Sequence, residues 1–172
     1  MNSKEYAKVL KIWLDDLNIK PDLIVAHSFG GKLAALLNPP FLVLLSSAGI
    51  LKPKTYFVRF KIVAFKLLKK IGLGKFYKFF ASKDVSGMNQ TMYETFKRVV
   101  DEDFRDIFSS YGGKALIFWG KKDKATPLEG GKKIGQLISN STFYPLDGDH
   151  FFFLSHASFI AKTIKDNNVC SI

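Results

Sequence analysis

The chain has almost no cysteine. Cys170 is its only one, so no internal disulfide can form, and a reducing, cytoplasmic setting fits. It also lacks any apolar run of the roughly 18 residues a membrane-crossing helix needs. The N-terminus Met1-Asn2-Ser3-Lys4-Glu5 does not show the basic-then-apolar order of a secretory signal. Acid is missing from one long stretch: between Lys52 and Lys83 ten Lys or Arg residues occur with no Asp or Glu. No nucleic-acid motif accompanies that run, and its lysines alternate with Phe, Val, Ile and Leu. A solvated helix face explains it best. An anionic membrane surface, met by the basic segment Phe57–Lys70, is the weaker reading. The net charge of +11 is therefore no sign of a nucleic-acid partner. Internal repeats and low-complexity tracts are absent too.

What is present is a globular composition, 47% apolar in 172 residues, enough for one domain with a real core. Tyr6, Val9, Leu10, Trp13, Leu14 and Leu17 mark one face of a helix over 6–17. Pro21 closes that segment, because the residue before proline disfavours helix. Leu23–Ala26 reads as a buried strand, Gly31–Leu37 as a helix stopped by Pro39-Pro40, and Phe41–Leu45 as a second buried strand. From Lys52 to Gly112 no buried-strand run occurs. Phe57–Lys70 and Met92–Phe108 look helical, so 52–112 is expected to be a helical insertion in a single domain whose core is 1–51 and 113–172. Ala115–Trp119 is a third strand, Gly131–Ile138 a helix, Thr142–Leu146 a fourth strand, and Ser158–Lys165 a closing helix. Buried strands alternating with helices imply an α/β fold with a parallel sheet of about four strands.

The chemistry follows from that topology. The run Leu23-Ile24-Val25-Ala26 stops at His27-Ser28-Phe29-Gly30-Gly31, where a helical pattern begins. A strand–turn–helix of this form presents a hydroxyl on a strained bend, with small residues, Ala26 and Gly30, two positions away on each side. Gly31 lets the helix pack closely. Reactive groups in parallel sheets gather at the carboxyl ends of the strands. Ser28, Asp123 and His150 each follow a strand. A serine hydroxyl needs a base to take its proton, and the base needs an acid to fix its tautomer. Each residue also has a plainer reading. Ser28 can cap a helix, Asp123 can cap the Thr126-Pro127 turn, and His150 can be an ordinary loop histidine. His27 reads as packing, His156 as a surface residue, and Phe151, Phe152 and Phe153 as core. Asp147 and Asp149 are rival acids lying too near His150 in sequence to be preferred.

Three segments carry a resemblance. They are Ala26–Gly31, Leu116–Pro127 (LIFWGKKDKATP) and Leu146–Phe151 (LDGDHF), joined by the stretch Thr95–Phe104. Together they resemble the α/β-hydrolase superfamily, in its branch of small bacterial serine hydrolases with a helical lid. The resemblance covers nearly the whole chain. It implies Ser28 as nucleophile, His150 as base, Asp123 as acid and the Phe29 N–H as an oxyanion donor, with no metal or cofactor. A small apolar acyl substrate would sit beneath a lid rich in Phe57, Phe60, Phe65, Phe76, Phe79 and Phe80.

The front of the chain departs from the family pattern. A complete member has several strands before the elbow strand, and a loop among them gives a second oxyanion donor. This chain has one helix before Leu23, and Ala26 stands at the first elbow position, where glycine is usual. A partial α/β-hydrolase fold is the expectation. The Leu23–Ala26 strand would then be an uncovered edge open to a protein partner. Two functions compete: a serine hydrolase weakened by truncation, and a non-catalytic fragment or half of a split enzyme.

Overall fold

The computed structural model describes residues 1–51 and 90–167. Residues 52–89 of the lid expected over 52–112, which include the basic stretch Lys52–Lys83, and Cys170 lie outside the described residues. Residues Met1–Leu51 and Asp101–Ile172 form one compact unit, and Lys52–Val100 forms a second. Of the second unit only helix α3 (Gln90–Val100) is described.

Helix α1 (Ser3–Asp16) opens the chain. It starts three residues earlier than its apolar period suggests, because Asn2 and Glu5 make a reciprocal capping box. Strand β1 (Leu23–His27) leads into α2 (Phe29–Leu37), then β2 (Phe41–Leu45). After the second unit come α4 (Arg105–Ser110), β3 (Lys114–Gly120), α5 (Leu128–Leu137) and β4 (Ser141–Leu146). A 3-10 turn (Phe152–Leu154) and α6 (Ala157–Asn167) close the described chain.

The four strands form a parallel sheet in the order β1-β2-β3-β4. Its centre is dry on both faces, as a parallel sheet covered by helices requires. Leu42, Leu44, Ala115, Ile117 and Trp119 point to one face, where α2, α4 and α5 contribute Ala34, Phe108 and Ile134. Phe41, Val43, Leu45, Leu116 and Phe118 point to the other, against Phe152 and Ile160. Alternation along β2 and β3 therefore feeds two cores from one apolar run.

Three expectations are corrected. The single helix expected over Met92–Phe108 is two helices, broken at 101–104. There the Phe104 N–H donates to the Gly49 carbonyl at 2.8 Å, and Phe104 and Phe108 enter the sheet's core. The second compact unit ends at Val100. Second, β1 is not a buried strand. It lies at the sheet margin, and Val25 is 48% exposed while its register partner Val43 is 0% exposed. Third, only part of the apolar face of α1 is covered. Tyr6, Leu10 and Leu14 are half-buried, but Val9, Trp13 and Leu17 are exposed.

Candidate active site

β1 ends at His27, and the next residue turns the chain sharply. Ser28 has φ 53° and ψ −120°, a conformation that costs a non-glycine residue about 1–3 kcal/mol and persists only where its surroundings hold it. Here they do. The Ser28 N–H donates to the Leu45 carbonyl (3.1 Å), and the Ser28 carbonyl accepts from the N–H groups of Ala48 (2.9 Å) and Gly31 (3.1 Å). Although Ser28 stands at the N-cap of α2, its side chain makes no capping bond. The hydroxyl is turned to His150 instead, with Oγ 3.0 Å from Nε2.

The small residues around the bend do different jobs. A β-carbon on Gly31 would lie 2.0 Å from Ser47 Oγ, so only glycine lets α2 settle against the loop after β2. A β-carbon on Gly30 would meet Ala26 Cβ at 3.9 Å, an ordinary contact. The demand for smallness falls on Gly31, and Gly30 is freer than the elbow pattern implies.

His150 is brought in by the loop after β4. That loop runs close to the end of β3, because a β-carbon on Gly120 would be 2.1 Å from the Asp149 carbonyl oxygen. Gly148 turns the loop with φ 131°, in the region that favours glycine. The other ring nitrogen of His150, Nδ1, lies 2.8 Å from Asp123 Oδ2. Both side chains are largely withdrawn from solvent, at 16% exposed for His150 and 0% for Asp123.

Asp123 divides its two oxygens. Oδ1 accepts from the N–H groups of Ala125 (2.8 Å) and Thr126 (2.9 Å), which makes it the cap of the turn after β3. Oδ2 faces the imidazole and lies 2.8 Å from the Thr126 hydroxyl. One oxygen of the carboxylate thus caps the turn, and the other faces the imidazole. Burial alone would raise its pKa. Hydrogen bonds from His150, the Thr126 N–H, Ser46 and the Thr126 hydroxyl outweigh that and hold it below the ordinary aspartate value.

The rival acids sit elsewhere. Asp147 pairs with Lys121 at 3.1 Å, and Asp149 accepts from the Phe151 N–H at 2.8 Å. The His156 Nε2–H donates to the Asp147 carbonyl at 2.7 Å. Of the three phenylalanines expected in the core, only Phe152 is buried there. Phe153 is half-buried and Phe151 is 55% exposed. Phe29 is the first residue of α2, where backbone N–H groups have no acceptor within the helix. Its ring meets the edge of Tyr6 at 5.7 Å.

Sequence reasoning named the Thr126 turn as something Asp123 could cap but missed Ser46, and it read His27 as packing alone. Among the described residues, no cluster of His, Cys, Asp and Glu could hold a metal ion, and no helix is long and apolar enough to cross a membrane.

No protein-family model matches the sequence, and no curated protein matches it. Solved structures do. An esterase, EaEST, from Exiguobacterium antarcticum superposes with a TM-score of 0.70 at 20% identity, over 96% of this chain and 73% of its own. The α/β hydrolase MGS-MChE2, from a lagoon-sediment metagenome of Mar Chica, Morocco, gives 0.66 at 18% identity over 97% and 71%. The meta-cleavage product hydrolase CumD of Pseudomonas fluorescens IP01 gives 0.65 at 15% identity over 96% and 71%. With four parallel strands and flanking helices that match these neighbours over 71–73% of their length, the chain has a partial α/β-hydrolase fold.

Proposed function

We propose that the protein is a serine hydrolase of carboxylic esters or related acyl bonds. The observation that carries this reading is the line Ser28 Oγ–His150 Nε2 (3.0 Å) and His150 Nδ1–Asp123 Oδ2 (2.8 Å). Ser28 attacks the acyl carbonyl while His150 takes the hydroxyl proton. Asp123, ionised and dry, keeps the Nδ1–H tautomer in place and stabilises the imidazolium. The alcohol or amine departs with the proton from His150, and a water then releases the acyl group by the same steps in reverse. The Phe29 N–H donates to the oxyanion. In the family a second donor usually lies on strands preceding the elbow, and a single such donor is worth about 10²–10³ in turnover. The substrate is proposed to be a small apolar acyl compound, and the single cysteine favours the cytoplasm as its setting.

A fluorophosphonate probe tests the reading. Covalent labelling of the folded parent, abolished in Ser28→Ala, is the expected result. A folded parent that stays unlabelled overturns it.

A second reading rests on the margin of the sheet. Val25 on β1 and Val9, Ile12 and Trp13 on α1 are exposed, and among the described residues β1 pairs with β2 on one side only, so its other side offers backbone donors and acceptors. In this reading the chain is a non-catalytic module, or half of a split enzyme, and a β-strand from a partner polypeptide pairs with β1. What supports that occupant is the roughly one quarter of each neighbour's length that has no counterpart here. A monomeric, cooperatively melting chain with full esterase turnover would refute this second reading.

A further inference from the structure

His27 is the residue that the hydrolase reading leaves without a task, and its surroundings give it one. It ends β1, one residue before Ser28. Its Nε2–H donates to the main-chain carbonyl of His150 at 3.0 Å. A carbonyl can only accept, so the hydrogen is on Nε2. The His27 ring also lies against the His150 ring at 4.5 Å between centroids, and against Phe153 at 4.8 Å and Phe151 at 5.6 Å.

We infer that His27 is a positioning residue, a strut that fixes the loop carrying His150 at hydroxyl distance from Ser28. This rests on the serine-hydrolase reading for its consequence, but not for its geometry. Ser28 and His150 come from strands that are not neighbours in the sheet, β1 and β4. The β4 loop is otherwise tied mainly to β3, through Lys121 and Lys122 N–H bonds to the Leu146 and Gly148 carbonyls (2.8 and 2.9 Å). The His27 bond runs directly from the nucleophile's strand to the backbone of the base. The charge of His27 fits the task. Burial lowers its pKa against the hydrogen bond to the His150 carbonyl, and His150 and Asp123 act on it in opposite directions. A neutral ring sets no second positive charge beside an imidazole that must itself gain a proton.

Three chains separate this from simple packing: the parent, His27→Phe, which keeps a ring without a donor, and His27→Gln, which keeps a donor near the Nε2 position. Two readouts are taken on each, with thermal melting as the control for folding. One is the second-order rate of fluorophosphonate labelling. The other is the exchange with water of the ring proton shared by His150 Nδ1 and Asp123, followed by NMR. In His27→Phe, labelling slows and proton exchange quickens by about tenfold each, the loss of one hydrogen bond. His27→Gln recovers most of both. Should His27→Phe not fold, His27→Asn, whose amide is too short to reach the carbonyl, replaces it. Equal behaviour of parent and His27→Phe overturns the inference, as does a His27→Gln that behaves like His27→Phe. A parent that does not label but whose ring proton still responds to the substitutions keeps the strut and loses only the hydrolase reading. Silence in both readouts overturns both.

Discussion

Lys32 and Glu102 form an ion pair, Nζ to Oε2 at 3.2 Å, although Lys32 is only 2% exposed. The ammonium also lies 4.6 Å from the centre of the Phe104 ring. On its other side Glu102 accepts from the Ser3 N–H at 3.0 Å and from the Ser3 hydroxyl. One carboxylate therefore joins the start of α1, the helix after the elbow and the stretch that precedes α4.

Glu102→Gln is expected to lower the unfolding free energy by about 2 kcal/mol, the scale of a lost charged hydrogen bond in a dry setting. Lys32→Met is expected to cost less. Its thioether keeps the packing on Phe104, and Glu102 retains Ser3 and some solvent. Urea unfolding of both variants checks the order. Lys32→Met as the more harmful change would show that the ammonium's own contacts dominate.

The same pair sets a pH window. Burial pushes Glu102 up, but the bonds from Ser3 and Lys32 together hold its pKa below the ordinary value of 4.5. A carboxylate depressed in the folded state contributes stability above its unfolded pKa and loses it as pH falls through the folded one. The stability difference between parent and Glu102→Gln should be flat from pH 7 to about 5, then shrink below about 4. Unfolding curves at stepped pH measure it.

The glycines of the elbow should separate cleanly. Gly31→Ala drives a β-carbon into Ser47 and is expected to cost about 1–3 kcal/mol. Adding Ser47→Gly, which removes both clashing atoms, should restore most of the loss. Gly30→Ala meets only Ala26 at contact distance. It should raise stability by about 0.4–1 kcal/mol by reducing the freedom of the unfolded chain. Melting temperatures of the three variants decide this.

Asp123→Asn tests how the two oxygens share their work. The remaining carbonyl oxygen can still cap Ala125 and Thr126, so the fold should survive. The amide, facing Nδ1, presents a donor where an acceptor is required and favours the wrong tautomer. Labelling of Ser28 is expected to fall by about 10⁴-fold with little change in melting. A comparable collapse of stability and labelling would mean that the turn, not the tautomer, is what Asp123 governs.

How much of this was legible depends on whether the cause is local. β2 and β3 read correctly because strands buried on both faces are apolar without interruption, as Phe41–Leu45 is. Asp123 stood out because it follows such a run, and Ser28 and His150 because each follows a segment that reads as a strand. The break at 101–104 did not. Val99, Val100, Phe104 and Phe108 keep a helical period across it, and what interrupts the helix is the bond to Gly49 and the grip of Ser3 and Lys32 on Glu102. Those partners are distant in sequence. The exposure of Val9 and Trp13 was hidden for a related reason. Periodicity reveals that a face is apolar, whereas its cover belongs to other segments. His27 looked like packing because its partner is a main-chain carbonyl, which any sequence supplies.

The division of labour at residue 123 also bears on ancestry. An aspartate there would be retained for the turn alone, even in a descendant lineage that had stopped turning over substrate. The hydroxyl at residue 28 holds no helix end, and its backbone is strained. Drift that follows a loss of catalysis should therefore register first at that serine, with replacement by glycine relieving the bend.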